Sequence, residues 1–464
     1  MNGHTTVVET VHYFLQQVEK DRHLNAWVET FAVEARSRAA ELDRTYQSTQ
    51  QFSGPLHGVV VGIKDVISYK DHTLSAASGI LKGFKAVYSA TVIERLLSAG
   101  AVILGRQNCD EFAMGSSNEN SCFGPVLNPV NIRKVPGGSS GGSAAAIRAD
   151  HCMISLGSDT GGSVRQPADF CGVTGFKPSY GRISRHGLVA YASSFDQVGI
   201  LAHSAKDIMC VYDIISGPDQ FDGTMTPAAR DVEVVAERQL KRFGYFRQAI
   251  EHPSLDPEIK QAFLSLVTNL ETHAYPVVCL DFELFDYLVP CYYVLTTAEA
   301  ASNLNRFEGI RYGRSPSPPD ASLEDLYKHN RTRGFGPEVK RRIMMGNFVL
   351  SAGYFDAYFT KAQKVRQLLI KKTKAFFEEV DCIISPTVPS PAFDLNEKLR
   401  DPLEIFLADL YTVYPNLTGI PAISVPLFTH STALPFGLQL MSSRGDDVNL
   451  LHLTDELMNL QTYR

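Results

Sequence analysis

Two blocks rich in glycine and serine, each directly beside an apolar segment, most constrain how this chain can fold. The first block, residues 136–143 with the sequence P-G-G-S-S-G-G-S, runs into an alanine-rich segment that predicts a helix at 140–148. The second, residues 157–165 with G-S-D-T-G-G-S-V-R, follows an apolar segment at 152–156 that predicts a strand. Glycine lets the backbone take positive φ, and the first N–H groups of a helix lack intrahelical partners. Both blocks therefore predict turns that present serine hydroxyls beside unpaired N–H groups.

Short apolar segments alternate with helical patterns along the rest of the chain, which favours an α/β fold with a largely parallel or mixed central sheet. Residues 291–374 are rich in helical patterning and predict a helical insert laid over that sheet. The length of 464 residues alone would suggest two or three domains. The remaining predicted elements are a helix at 91–100 with Thr91 as N-cap, a helix at 446–460, and strands at 58–63, 101–105, 275–280 and 380–385.

Composition argues against several classes of function. Hydrophobic residues make up 44% and charged residues 20%, which is typical of a globular protein, and the net charge of −6 argues against binding of duplex nucleic acid by this chain alone. No run of 18 apolar residues predicts a membrane span. The eight cysteines form no C-x-x-C pair and no metal-ligand spacing with the 13 histidines, so we expect reduced thiols, an intracellular protein and no metal site. The first 22 residues resemble neither a secretory signal nor an arginine-rich transit peptide and predict the first helix.

A serine hydroxyl among unpaired N–H groups is what acyl transfer needs, because it supplies a nucleophile and an oxyanion hole. A flexible linker and a phosphate-binding loop are the alternatives, but both blocks abut apolar segments and lack G-x-x-x-x-G-K-[ST]. Lys64 ends the apolar segment G-V-V-V-G-I-K and is a candidate base, because burial lowers the pKa of a lysine; most lysines at strand ends instead reach water. His151 and His186 lie nearby in sequence without a partner motif.

The sequence around these residues resembles the motif of the amidase signature family. This motif places G-G-S-S-G-G-S before the serine of D-x-G-G-S-[VI]-R, and here Ser139 precedes Ser163 by 24 positions, with Lys64 of G-I-K-D before both. The resemblance implies that Ser163 is the nucleophile, Ser139 a bridging serine on a cis peptide, and Lys64 the base. It also implies that the oxyanion is stabilised by the N–H groups of Thr160, Gly161, Gly162 and Ser163. The side chains of Asp159 and Arg165 are expected to brace the loop that carries these groups. For the last two, an ordinary ion pair is the alternative.

The resemblance also implies the fold and its division. The expected fold is the α/β amidase signature fold, in which a central mixed β-sheet is covered by helices on both faces, with a helical insert. We expect a single amidase domain over residues 1–464, with a catalytic Ser-Ser-Lys core at about 50–225. The helical insert at about 291–375 is expected to contribute to the substrate pocket.

Within this family the chain most resembles the A subunits of glutamyl-tRNA(Gln) amidotransferases. The segments that carry this resemblance lie outside the general signature, at 110–116, 302–313 and 334–342. It implies that glutamine is the substrate and that Tyr293, Arg342 and Asp409 contact it. Arg342 would bind the α-carboxylate, as guanidinium groups do, and Asp409 the α-ammonium. Arg341 is an adjacent alternative to Arg342.

The same resemblance implies partners. Ammonia would pass to the B subunit of the amidotransferase, which uses ATP and magnesium to convert Glu-tRNA(Gln) into Gln-tRNA(Gln), and a small third subunit would complete a heterotrimer. This chain itself would hold no cofactor and no metal. A short N-terminal segment and a proline-rich stretch at 315–320 depart from the usual pattern. They suggest the fungal mitochondrial form, in the matrix, with a bacterial or archaeal cytoplasm as the alternative.

Two other functions stay open at this point. A free-standing amidase would act on another small amide, although Arg342 together with Asp409 favours an amino-acid substrate. A catalytically silent scaffold would only hold a complex together, although Lys64, Ser139 and Ser163 are all present.

Overall fold

The structure is a computed structural model that describes residues 5–226, 242–313, 322–397 and 408–462. Within these ranges, eleven strands form one sheet in the order β1-β3-β2-β4-β6-β5-β10-β11-β9-β7-β8. The strands are β1 (Trp27–Thr30), β2 (Val60–Lys64), β3 (Val102–Gln107), β4 (Ile154–Asp159), β5 (Thr174–Lys177), β6 (Gln197–Ala202), β7 (Phe243–Phe246), β8 (Val277–Leu280), β9 (Cys382–Pro386), β10 (Ala422–Thr429) and β11 (Pro435–Met441).

The sheet is mixed, as predicted. Strands β3, β2 and β4 are parallel to one another, and so are β9, β7 and β8 near the opposite edge. The strands between these two groups pair antiparallel, and β1 pairs antiparallel with β3 at the first edge. The parallel groups require crossover connections, which the helices supply.

Helices cover both faces of this sheet, as the period-2 alternation of strand side chains requires. Val60 and Val102 pack into a cluster with the first two helices, whereas the next residues along the same strands, Val61 and Ile103, pack into the other core. The helices are α1 (Val7–Lys20), α2 (Ala32–Thr49), α3 (Thr91–Ser98), α4 (Gly141–Arg148), α5 (Arg165–Cys171), α6 (Ala205–Ile215), α7 (Arg247–Glu251), α8 (Pro257–Thr272), α9 (Leu288–Asn303), α10 (Leu323–Gly334), α11 (Pro337–Leu350), α12 (Lys361–Glu379), α13 (Val413–Thr418) and α14 (Asp447–Thr462).

Most of the predicted elements are present, with shifted ends. One detail is wrong: Thr91 is the first residue of α3 and Ala90 is its N-cap, with no side-chain cap. The four helices α9 to α12 occupy most of the stretch expected to be a helical insert, while its proline-rich part at 315–320 lies outside the described residues. Among the described residues, no helix is both long enough and apolar enough to cross a membrane.

Candidate active site

Lys64 ends strand β2, between two parallel neighbours, and is fully buried. Its Nζ lies 2.6 Å from Ser139 Oγ, 2.9 Å from Ser140 Oγ and 2.9 Å from Ser158 Oγ. No carboxylate oxygen of the described residues lies within ion-pair distance of this nitrogen. Three hydroxyl groups therefore surround the side-chain nitrogen of Lys64, whereas most lysines at the end of a strand reach water.

Burial disfavours the ammonium form and lowers the pKa of Lys64 from its usual 10.5 to about 8, even though nearby carboxylates favour the charged form. Ser140 Oγ donates to the carbonyl of Ser158 at 3.2 Å, so it can only accept from the lysine. When the amine is neutral, its two N–H groups can bond to Ser140 and Ser158. The lone pair is then left for the O–H of Ser139, which is the arrangement a general base needs.

Ser139 and Ser163 come from the two glycine-rich blocks, which meet at the ends of β2 and β4. The peptide bond between Gly138 and Ser139 is cis, as the family resemblance implied. Ser139 is fully buried, whereas Ser163 keeps 8% of its surface exposed, so it is the member of the set that a substrate can reach. Among the described residues no side-chain hydrogen bond joins Ser139 to Ser163; the two blocks are joined by the Ser140 N–H, which donates to the Ser163 carbonyl at 3.0 Å.

The turn between β4 and Ser163 is close-packed, which explains its glycines. A Cβ added at Gly161 would lie 2.4 Å from the ring of Tyr292, and one added at Gly162 would lie 2.2 Å from Thr412 Oγ1. Gly162 also has φ of +122°, which favours glycine. Its N–H donates to Asp159 at 2.9 Å, so one of the predicted oxyanion donors is already held by a carboxylate.

Asp159 and Arg165 form a buried, paired contact that braces this turn. Arg165 Nε and Nη2 donate to the two oxygens of Asp159 at 3.1 and 3.0 Å, and both side chains are fully buried. Arg165 also donates to Asn416 Oδ1 at 2.7 Å and to Gln439. Burial alone would raise the pKa of Asp159, but the charge and hydrogen bonds of Arg165 lower it to about 2. The carboxylate is thus ionised and holds the Gly162 and Val164 N–H groups.

A second cluster lies against the same turn and contains the predicted glutamine contacts. Tyr293 Oη donates to Asp409 Oδ2 at 2.7 Å, and Ser116 Oγ donates to Asp409 Oδ1 at 2.9 Å. Arg342 lies on helix α11, which packs on α9, the helix that carries Tyr293. Its guanidinium carbon lies 5.5 Å from the centre of the Tyr293 ring. Thr412, three residues after Asp409, donates to the carbonyl of Gly161 at 2.7 Å, which connects this cluster to the Ser163 turn.

Arg342 and not Arg341 points into the cluster. Arg342 is 4% exposed, whereas the side chain of Arg341 is 48% exposed. Glu338, one helical turn earlier, accepts from Arg342 Nε at 2.7 Å and from Arg341 at 2.8 Å. Arg342 Nη1 donates to Tyr191 Oη at 2.6 Å, and among the described residues its Nη2 has no hydrogen-bond partner. One edge of the guanidinium is therefore held, and the other is available to a ligand.

The structure adds residues that sequence reasoning did not single out. Ser140 belongs to the first glycine block and Ser116 to a segment of the resemblance, so both lay beside residues already singled out. Glu338 precedes Arg342 by four positions, the spacing of ion pairs on a helix. Ser158 belongs to the second glycine block, whereas Tyr191 had no comparable signal.

The two histidines considered as bases are placed elsewhere. The His151 ring accepts from Trp27 Nε1 at 3.2 Å, and the His186 ring stacks between Tyr88 and Phe221. Neither ring makes a hydrogen bond to Lys64 or Ser163 within the described ranges. Those ranges also contain no group of three or more His, Cys, Asp or Glu side chains that could hold a metal ion.

A family model described as Amidase matches residues 9–451. The chain belongs to the amidase family. The A subunit of glutamyl-tRNA(Gln) amidotransferase from Chlorobium phaeobacteroides is 46% identical over 454 residues, which cover 97% of this amidase and 94% of the relative. The corresponding A subunit from Prosthecochloris aestuarii is 47% identical over 455 residues, which cover 96% and 94%.

Solved structures agree with this assignment of family and fold. The crystal structure of the glutamyl-tRNA(Gln) amidotransferase A subunit from Thermotoga maritima is 35% identical, with a TM-score of 0.77, and the match covers 97% of this chain and 93% of that one. A peptide amidase from Stenotrophomonas maltophilia is 26% identical, with a TM-score of 0.82, and the match covers 99% and 94%. Backbone similarity alone thus does not separate these two kinds of amidase, whereas sequence identity does.

Proposed function

We propose that this amidase hydrolyses the side-chain amide of glutamine and supplies the ammonia for converting Glu-tRNA(Gln) into Gln-tRNA(Gln). The observation that carries the proposal is the pair of buried, opposite charges at Arg342 and Asp409, both of which contact Tyr293 beside the Ser163 turn. An amino acid carries both complementary charges, and a simple amide carries neither. The relatives named above, 46% and 47% identical over nearly the whole chain, are A subunits of this amidotransferase.

In the proposed reaction, neutral Lys64 accepts a proton from Ser139 while Ser139 accepts the proton of Ser163. Ser163 Oγ bonds to the amide carbon, and the C–N bond then breaks as the nitrogen takes up the proton and leaves as ammonia. Water next hydrolyses the glutamyl ester to glutamate. This relay requires a Ser139–Ser163 hydrogen bond, and such catalytic contacts commonly tighten only when substrate is bound.

Stabilisation of the oxyanion is assigned to the turn before Ser163. Because Asp159 holds the Gly162 N–H, the assignment depends on the N–H groups of Thr160 and Gly161 together with that of Ser163. One donor in a comparable oxyanion hole contributes about 2.7–4 kcal/mol to lowering the barrier.

The partners and the compartment belong to the same proposal. The B subunit of the amidotransferase would receive the ammonia and use ATP and magnesium, and a small third subunit would complete a heterotrimer; this chain would hold no cofactor. The two relatives come from bacteria, which fits the alternative of a bacterial cytoplasm. The fungal mitochondrial form stays a prediction that none of these relatives supports.

The test uses the complex of this chain with its partner subunits. The parent complex should release ammonia from glutamine and form Gln-tRNA with either glutamine or an ammonium salt as nitrogen source. Ser163→Ala should abolish the glutamine-driven reaction and keep the ammonium-driven one, which is the internal control for folding and assembly. Normal glutamine turnover by Ser163→Ala would refute the nucleophile. Ammonia release from uncharged amides but not from glutamine would instead indicate a free-standing amidase.

A further inference from the structure

Asp196 lies between the two clusters of the site and bonds to both of them. It follows the turn after Tyr191 and is 3% exposed. Its Oδ1 accepts from Thr160 Oγ1 at 2.7 Å and from the Ala192 N–H at 3.1 Å, and its Oδ2 accepts from the Tyr191 N–H at 2.9 Å. A buried carboxylate that accepts three hydrogen bonds holds all three donors in fixed positions, because each lost bond leaves a buried polar group without a partner.

One of these donors, Thr160, leads directly to the reacting serine. Thr160 follows the last residue of β4 and begins the turn that ends at Ser163. The hydrogen bond to Asp196 anchors the side chain of the residue whose N–H is assigned to the oxyanion. A displaced donor lowers the rate of acylation, because the stabilisation that an N–H group gives to the oxyanion depends on the distance between them.

The other donor, Tyr191, leads to the proposed carboxylate site. The Tyr191 side chain is 1% exposed, and its Oη accepts from Arg342 Nη1 at 2.6 Å and donates to Thr296 Oγ1 at 3.1 Å. The Arg342 guanidinium carbon also lies 5.4 Å from the centre of the Tyr191 ring. Tyr191 thus orients the guanidinium, and Asp196 fixes the backbone of Tyr191.

We propose that Asp196 is a positioning residue that joins the two halves of the active site, holding Thr160 beside Ser163 and Tyr191 against Arg342. The inference rests on the proposed function for the identity of the substrate. Asp196 touches neither the substrate nor the reacting serine; it acts through Thr160 and Tyr191. Two separable effects follow, one on the rate of acylation through Thr160 and one on glutamine binding through Tyr191.

The binding branch is tested with Tyr191→Phe in the full complex, which removes only the hydroxyl group that accepts from Arg342. We expect the KM for glutamine to rise about tenfold or more, as for the loss of a hydrogen bond to a charged group, with kcat close to that of the parent. Hydrolysis of butyramide, an uncharged amide, should not change. An equal loss on both amides would contradict this branch and indicate a merely structural tyrosine.

The rate branch is tested with Thr160→Val, which keeps the shape of the side chain and removes the donor to Asp196. We expect kcat to fall about tenfold or more with little change in KM, and Thr160→Ser to restore it, because serine keeps the hydroxyl. If the serine variant is as slow as the valine variant, the hydrogen bond to Asp196 is not what holds the turn.

Asp196→Asn combines the two branches. An Asn oxygen that keeps Thr160 and Ala192 places its NH₂ group against the Tyr191 N–H, so the affinity for glutamine should fall. The neutral amide oxygen also accepts from Thr160 more weakly than the carboxylate does, so kcat should fall as well. Glu299→Gln is the matched control: Glu299 accepts the Ser194 N–H of the same turn at 2.9 Å and bonds to neither Thr160 nor Tyr191, so both constants should stay within about twofold.

If Asp196→Asn behaves like Glu299→Gln, the inference is overturned. Should the Asp196 variant fail to fold, the Thr160 and Tyr191 variants decide. A parent complex that releases no ammonia from glutamine would refute the proposed function instead, so the two failures are distinguishable.

Discussion

The lowered pKa of Lys64 makes a quantitative prediction about the pH dependence of glutamine hydrolysis. A lysine acts as a base only when neutral, and at its usual pKa of 10.5 only about 0.03% of the groups would be neutral at pH 7. With the pKa at about 8, the neutral share is about 9% at pH 7 and about 1% at pH 6. Burial therefore raises the share of active base at pH 7 about 300-fold.

Activity should rise with pH, because deprotonation of Lys64 produces the base. The lowered pKa places this rise near pH 8 and not near pH 10.5. Between pH 6 and 7 kcat/KM should increase about tenfold, and between pH 7 and 8 about fivefold, as half-deprotonation is approached. The assay is ammonia release from glutamine by the assembled complex over pH 6–8.5. Because the pH dependence of kcat/KM reports ionisation of the free enzyme, the midpoint of this rising limb gives the pKa of Lys64 without substrate.

A second buried lysine supplies the control. Lys177 is fully buried, burial lowers its pKa to about 7, and its Nζ donates to the carbonyls of Pro178 and Ile420. Lys64→Met should reduce acylation by about 10²–10⁴-fold, the usual contribution of a general base, whereas Lys177→Met should keep the limb near pH 8. A profile that is flat over this range, or a limb that Lys177→Met removes, would refute the assignment of the base.

Three further predictions concern the pocket and the brace. Arg342→Ala and Asp409→Ala should each raise the KM for glutamine, since losing one partner of a desolvated charge pair costs about 2–5 kcal/mol, and leave hydrolysis of butyramide nearly unchanged. Arg341→Ala, at an exposed position, should change the KM for glutamine less than about threefold, and a larger change would assign substrate contact to the wrong arginine. Asp159→Asn should lower the free energy of unfolding by about 3–5 kcal/mol, measured by urea denaturation, because it leaves the fully buried Arg165 without its counter-charge; a loss below about 1 kcal/mol would contradict the bracing role.

Much of the fold was predictable because its signals are local. The apolar segments of β2, β3 and β4 stand out in the sequence since all their residues are buried on both faces of the sheet. Six of the eleven strands were not predicted. Strands β6, β7, β10 and β11 were missed although most of their residues are apolar, whereas the other two lack such a pattern. Trp27–Thr30 is an only partly buried edge strand, and Thr174–Lys177 contains glycine and lysine in a fully buried position, so neither has an apolar pattern.

The sequence by itself singled out the two turns rich in glycine and serine, because glycines around a serine are a local signal. The roles of Ser139, Ser163 and Lys64 came from the family resemblance. Resemblance also pointed to Arg342 and Asp409, but not to the hydrogen bonds that orient them. Those bonds join residues far apart in the chain: Ser116 and Asp409 are 293 positions apart, and Tyr191 and Arg342 are 151. Only the tertiary structure decided which arginine faces the pocket and how far burial lowers the pKa of Lys64, because burial depends on everything that packs around a side chain.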